Sequence, residues 1–173
     1  AASILLVFAI GSAIYWGFST SDNKYSFSKI ESVKDNNPIL VLANKEKVEL
    51  ASNKESNIIV LKNQDAILVK NDSIIQNTPK SGTELNAFNE ITVPYGKKVT
   101  LQLSDGTKVQ LNAGSQFAFP QSFNGKTREV YLVGEGYFEV SKNEKQPFIV
   151  STPKVDVRVL GTKFNLSAYS SDN

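Results

Sequence analysis

From Pro38 onward the chain is built of short apolar runs divided by polar, Gly or Pro breaks. Ile39-Leu40-Val41-Leu42 is followed by the alternating Val48-Glu49-Leu50, then by Ile58-Ile59-Val60-Leu61 and Ile67-Leu68-Val69. Residues 71–89 are rich in Asn, Ser, Pro and Gly and read as a long connection with one strand at Ile74-Ile75. From Ile91 the alternation sharpens. Val99, Leu101 and Leu103 share one face, with Thr100, Gln102 and Ser104 on the other. Val109 and Leu111, Val130 and Leu132, Phe138 and Val140, the odd positions Val155 to Val159, and Phe164 and Leu166 repeat the pattern. Period-two runs of four to six residues, with no helical period after residue 36, predict an all-β domain: an antiparallel, short-strand sandwich or jelly-roll-like fold.

Asp105-Gly106 splits two alternating runs and predicts a two-residue hairpin turn between strands at about 99–104 and 107–112, with Gly106 at positive φ. A weak internal echo accompanies it. Leu42 to Leu50 aligns with Leu103 to Leu111, matching Lys47 to Lys108, Val48 to Val109 and Leu50 to Leu111, with Asn44-Lys45 in place of Asp105-Gly106. This reads either as two similar hairpins or as the chance likeness of two Lys/Val-rich segments. One pair of copies is too few for a solenoid.

The first 21 residues behave differently. They carry no charge, and residues 4–10 and 13–18 are strongly apolar, with Tyr15 and Trp16 near one end. A helix of roughly 20 such residues spans a bilayer core, and aromatic rings favour its interface. Residues 1–21 are therefore expected to form one N-terminal transmembrane helix, with a cleaved signal peptide or a buried core helix as alternatives. The expected organisation is this anchor, a polar linker at 22–36 that looks unprotected, an N-terminal β region at 37–90 and a second β region at 91–173. The chain reads as part of a longer protein extending beyond both ends.

Composition narrows the chemistry. With 40% hydrophobic and 21% charged residues the chain looks globular, and its net charge of +2 is spread without a basic stripe, so no direct nucleic-acid contact is expected. Cys and His are both absent, which excludes Cys-His and Ser-His-Asp mechanisms and the usual zinc sites within this chain. Glu135 and Glu139 would share a strand face about 13 Å apart with Tyr137 between them, too far for a glycosidase pair. They read as a solvated face. Asp105 is accounted for by its turn, and Gly134-Glu135-Gly136 reads as a bulge or tight approach of strands, not a phosphate loop. Phe117, Phe119, Phe123, Tyr131, Tyr137, Phe138, Phe148, Phe164 and Tyr169 fit a β core, and they also fit a sugar-stacking platform. The sequons at Asn71-Asp72-Ser73 and Asn165-Leu166-Ser167 read as chance. No catalytic, cofactor-binding or metal residue is assigned, no cofactor is expected, and the chain is not expected to be an enzyme.

Ordered blocks carry a resemblance. They are Val93-Pro94-Tyr95-Gly96-Lys97-Lys98, Leu103 to Ser115, Phe123 to Val130, Gly134-Glu135-Gly136-Tyr137-Phe138-Glu139-Val140, Pro147-Phe148-Ile149-Val150, and Val157 to Asn165. In this order and spacing they resemble the FecR family, the extracytoplasmic domain of transmembrane anti-sigma factors. Gly136 stands where the family often has Ala. The resemblance implies a regulator of the bacterial inner membrane with its β domain in the periplasm. It would relay a signal from the signalling domain of an outer-membrane TonB-dependent transporter to a sigma factor held by a cytoplasmic segment outside this chain. A carbohydrate-binding or carbohydrate-active β-sandwich is the alternative.

Overall fold

The computed structural model describes residues 25–28, 37–50 and 88–169 in full, and the strands at 58–60, 66–70 and 73–76 by their backbone. The expected helix at the N-terminus lies outside the described residues, as does most of the 22–36 linker. Every regular element among the described residues is a strand.

Two sheets are joined by one strand. Sheet A runs in the order β2 (Lys47–Glu49), β1 (Ile39–Val41), β6 (Phe88–Thr92), β9 (Gln116–Pro120), the first half of β10 (Arg128–Glu139), β11 (Phe148–Ser151) and β12 (Asp156–Val159). Sheet B runs β3 (Ile58–Val60), β4 (Ala66–Lys70), β5 (Ser73–Gln76), β7 (Val99–Gln102), β8 (Lys108–Leu111), the second half of β10 and β13 (Lys163–Ala168). Pairing is antiparallel except for β5–β7 and β10–β11. Strands on both sides of the expected division at residues 90 and 91 share both sheets, and β6 runs across it.

The alternation explains the layering. Along β10 each even-numbered residue is buried and each odd-numbered one partly or fully exposed. Sheet A contributes Leu40, Ile91, Phe117, Phe119, Val130, Leu132, Phe148 and Val150 to one core, and sheet B contributes Val99, Leu101, Val109, Leu111 and Phe138. The rings of Phe117 and Phe148 lie 6.1 and 6.4 Å from that of Phe138, joining the layers. A buried Phe contributes roughly 1.5–3 kcal/mol relative to an exposed one, so this layer holds the sheets together.

The turn at Asp105 differs from the two-residue expectation. Leu103 and Thr107 close it, the Leu103 N–H donating to Thr107 O at 2.8 Å, so the loop has the three residues 104–106 and the strands are 99–102 and 108–111. The hydrophobic pattern requires this. Leu101 stands opposite Val109 and Val99 opposite Leu111, and directly opposed residues share a sheet face. A two-residue loop would oppose each core residue to a polar one.

The echo is structural. In the first hairpin the Leu42 N–H donates to Glu46 O at 2.9 Å, and Lys45 has φ +67° where Gly106 has +84°. Asn44 Oδ1 accepts from the Glu46 N–H and Asp105 Oδ1 from the Thr107 N–H, both at 2.9 Å. The two copies lie in different sheets. Because Gly106 has positive φ and a Cβ there would stand 3.2 Å from Ser141 Oγ, Gly106→Val is expected to cost about 1–3 kcal/mol in thermal denaturation. An unchanged melt would contradict the turn geometry.

Candidate functional site

Sheet A presents a row of residues pointing away from the core: Val41, Glu90, Ala118, Tyr131, Ser151 and Asp156, paired one strand to the next. Such a face would ordinarily be solvated. Here Val41, Glu90, Ala118 and Ser151 are all buried. Residues 25–28 lie on this face. The Tyr25 ring stacks on Tyr131, centroids 4.8 Å apart, and contacts Phe88 and Phe27 at 5.2 Å each. The Tyr25 hydroxyl donates to Glu90 Oε1 at 2.6 Å, the Ser28 N–H to Oε2 at 2.9 Å and the Ser28 hydroxyl to Oε1 at 3.1 Å.

Three donors thus compensate a carboxylate that is only 8% exposed, which is what burying a charge demands. Burial, and then the Glu90 carboxylate, push the Tyr25 phenol above its ordinary value. Burial and the neighbouring Glu129 carboxylate push Tyr131 up to about 12. Both rings are neutral donors at physiological pH. A cavity of about 290 Å³ lies on the same face, lined by Phe88, Phe123 and Glu129 among others. Within the expected 22–36 linker, Tyr25 and Ser28 are thus held on the sheet, a contact the reading of that segment as an unprotected polar linker did not anticipate, while residues 22–24 and 29–36 lie outside the described residues.

A second cluster is internal. Arg128 lies 1% exposed at the start of β10, its Nη1 2.6 Å from Asp105 Oδ2 and donating also to Ser141 O at 2.9 Å. Its Nε donates to Gln146 O at 2.8 Å, and its guanidinium carbon sits 5.3 Å from the Phe148 ring centroid. The Thr107 hydroxyl donates to Asp105 Oδ2 at 2.7 Å and accepts from the Ser141 N–H at 3.2 Å. Asp105 is therefore more than a turn former: it neutralises a buried cation and ties the 104–106 turn to the 141–147 loop.

Glu135 and Glu139 lie on the outward face of β10 with Tyr137 between them, as the strand period predicts. Glu135 accepts hydrogen bonds from the side-chain amides of Asn165 at 2.9 Å and Asn112 at 3.2 Å, which hold it below the usual carboxylate range. Glu139 pairs with Lys163 at 3.3 Å. Both carboxylates are thus engaged by side chains on the outward face of the strand. Of the aromatic residues, Phe117, Phe119, Phe138 and Phe148 are fully buried, whereas Tyr137 and Tyr169 are 37% and 40% exposed. The Gly134-Glu135-Gly136 stretch is the tight strand approach anticipated, where β10 passes from β9 to β8. Among the described residues no group of three or more His, Cys, Asp or Glu could hold a metal ion. Sequence reasoning missed Tyr25, Phe88 and Glu90 as a group and the inward position of Arg128.

Residues 89–173 match the family described as FecR protein. Two crystal structures titled "putative anti-sigma factor", from Parabacteroides distasonis ATCC 8503, are each 44% identical to the aligned part of the chain. The first, at 2.50 Å resolution, aligns over 49% of this chain and 40% of that one with a TM-score of 0.48. The second, at 1.65 Å, aligns over 48% and 39% with a TM-score of 0.47. The chain thus spans well under half the length of these relatives. No curated protein matches it.

Proposed function

We propose that this chain, a FecR-type protein over residues 89–173, is the extracytoplasmic part and membrane anchor of an anti-sigma regulator. Residues 1–21 would cross the inner membrane and the β domain would stand in the periplasm. There it would receive the signalling domain of an outer-membrane TonB-dependent transporter and pass the signal to a cytoplasmic segment that holds a sigma factor. The family match over residues 89–173 carries this reading. A double-layer β domain whose singled-out carboxylates are engaged in turn, ion-pair and amide contacts supports an interaction role over chemistry.

A relay needs a partner that prefers one of two states, because a ligand binding both equally shifts nothing. The test uses the full-length protein with a transcriptional reporter for its sigma factor. Deleting residue 37 to the C-terminus is expected to abolish the difference between uninduced and induced output. If both levels survive the deletion unchanged, the relay reading fails.

A further inference from the structure

We propose that the outer face of sheet A is a cradle for residues 25–28, and that release of this strap is the step by which the β domain acts on the membrane-proximal segment. The consequence for signalling rests on the function proposed above, but the cradle does not.

The cradle is built by register. Glu90 on β6 and Tyr131 on β10 flank Ala118 on β9 in one cross-strand row, with Phe88 two residues along β6 on the same face. The small Ala118 side chain stands between the two larger ones in this row, and Tyr25 packs against Tyr131 and Phe88. Glu90 forms the polar end. One carboxylate reads the phenol of Tyr25 and both the N–H and the hydroxyl of Ser28, so it fixes the position and the direction of the strap together. The contacts bridge 62 to 65 residues of sequence and tie a segment a few residues beyond the expected anchor directly to the middle of sheet A.

The arrangement favours two discrete states over a gradual one. With the strap seated, Glu90 has three protein donors and little water. With the strap gone, Glu90 loses all three of these donors and water can take their place. A partly lifted strap would leave the carboxylate desolvated and short of donors, the costliest arrangement. All three polar contacts of the strap converge on one carboxylate, so a partner that loads β6, where Glu90 sits, or the neighbouring β9 or β10 can displace it. Displacement exposes the backbone of residues 25–28 to a protease or to a second partner.

The test is hydrogen exchange on the full-length protein in membranes or detergent, comparing wild type with Tyr25→Ala and Glu90→Gln. Tyr25 belongs to no sheet, so its replacement leaves the strand ladders in place, and amides of β6 and β9 serve as the control. Exchange at the Ser28 amide is expected to rise about tenfold or more in Tyr25→Ala, the size of losing hydrogen bonds to a charged group, with the β6 and β9 amides unchanged. Proteolysis between residues 25 and 28 is expected to speed up in parallel. In cells, both variants are expected to shift reporter output toward the induced level without inducer. If Ser28 exchange and local cleavage match wild type, the cradle is wrong, whatever the protein does. If they rise while reporter output still responds as in wild type, the strap is held but does not transmit, which overturns its signalling role and leaves the deletion test to judge the wider function.

Discussion

Asp105→Ala is expected to destabilise the β domain by about 3–5 kcal/mol, because it leaves the guanidinium of Arg128 buried without its counter-charge. Arg128 is 1% exposed, and among the described residues its remaining acceptors are the Gln146 and Ser141 carbonyls. The substitution also removes acceptors from the Thr107 N–H and hydroxyl, loosening the 104–106 turn. Domains of this size are commonly stable by only 5–15 kcal/mol, so a large part of the folding free energy is at stake. Chemical denaturation followed by far-ultraviolet circular dichroism measures the loss. Asp105→Ala combined with Arg128→Met is expected to recover part of it, since the double variant no longer buries a lone charge. If the double variant is less stable than Asp105→Ala alone, the stranded charge is not the cause.

Much of this cluster was legible in the sequence. Arg128 has the parity of Val130 and Leu132, so a strand that buries those two must turn Arg128 inward as well. A buried Arg then requires a carboxylate, and Asp105 in its turn was available. The same parity argument decides the turn itself. Val99, Leu101 and Leu103 on one strand and Val109 and Leu111 on the other can share a face only across a loop with an odd number of residues, and that constraint overrides the local preference of Asp-Gly for a two-residue turn. Strand β9 was less visible. Its inward residues are Phe117 and Phe119, but Ala118 between them is apolar too and Pro120 ends the run, so the period-two signal disappears.

The cradle was not legible, for a physical reason. Ile91 and Val93 face the core, which places Glu90 on the opposite face, where a carboxylate is ordinarily solvated. Its hydrogen-bond partners are Tyr25 and Ser28, far away in sequence and set in a stretch that reads as polar linker. Local periodicity assigns faces but carries no information on which distant segment covers them. The parallel pairs β5–β7 and β10–β11 escaped notice likewise, since register across a long connection leaves no local trace. The edge of the sandwich is also more open than alternation implies. Val157 and Val159 on β12 are only half-buried, whereas Val150 on the neighbouring β11 is fully buried, so Val150 is the position at which an introduced charge would be stranded.

Gly134→Ala is expected to cost about 3 kcal/mol or more, a large effect for the addition of one methyl group. Gly134 has φ +106°, where an L side chain is strained by roughly 1–3 kcal/mol. A Cβ there would stand 2.6 Å from the Cα of Ser115 and 2.8 Å from its Cβ, and overlap with backbone adds a similar penalty because no rotamer change relieves it. The approach cannot open without breaking other contacts. The Ser115 hydroxyl accepts from the Glu135 N–H at 2.9 Å and donates to Glu135 O at 3.0 Å. The Asn112 N–H donates to the same Glu135 carbonyl at 2.9 Å, and Ser115 O accepts from the Val93 N–H at 2.8 Å. At this point β10 leaves sheet A, where it carries Tyr131, and enters sheet B, where Glu135 faces outward. The kink therefore sets how the two layers are joined. Gly125→Ala is the control: its added Cβ would meet nothing nearer than 3.6 Å, and it is expected to stay within about 0.5 kcal/mol of wild type. If thermal denaturation finds Gly134→Ala as mild as Gly125→Ala, the close approach of β10 to Ser115 does not exist in solution.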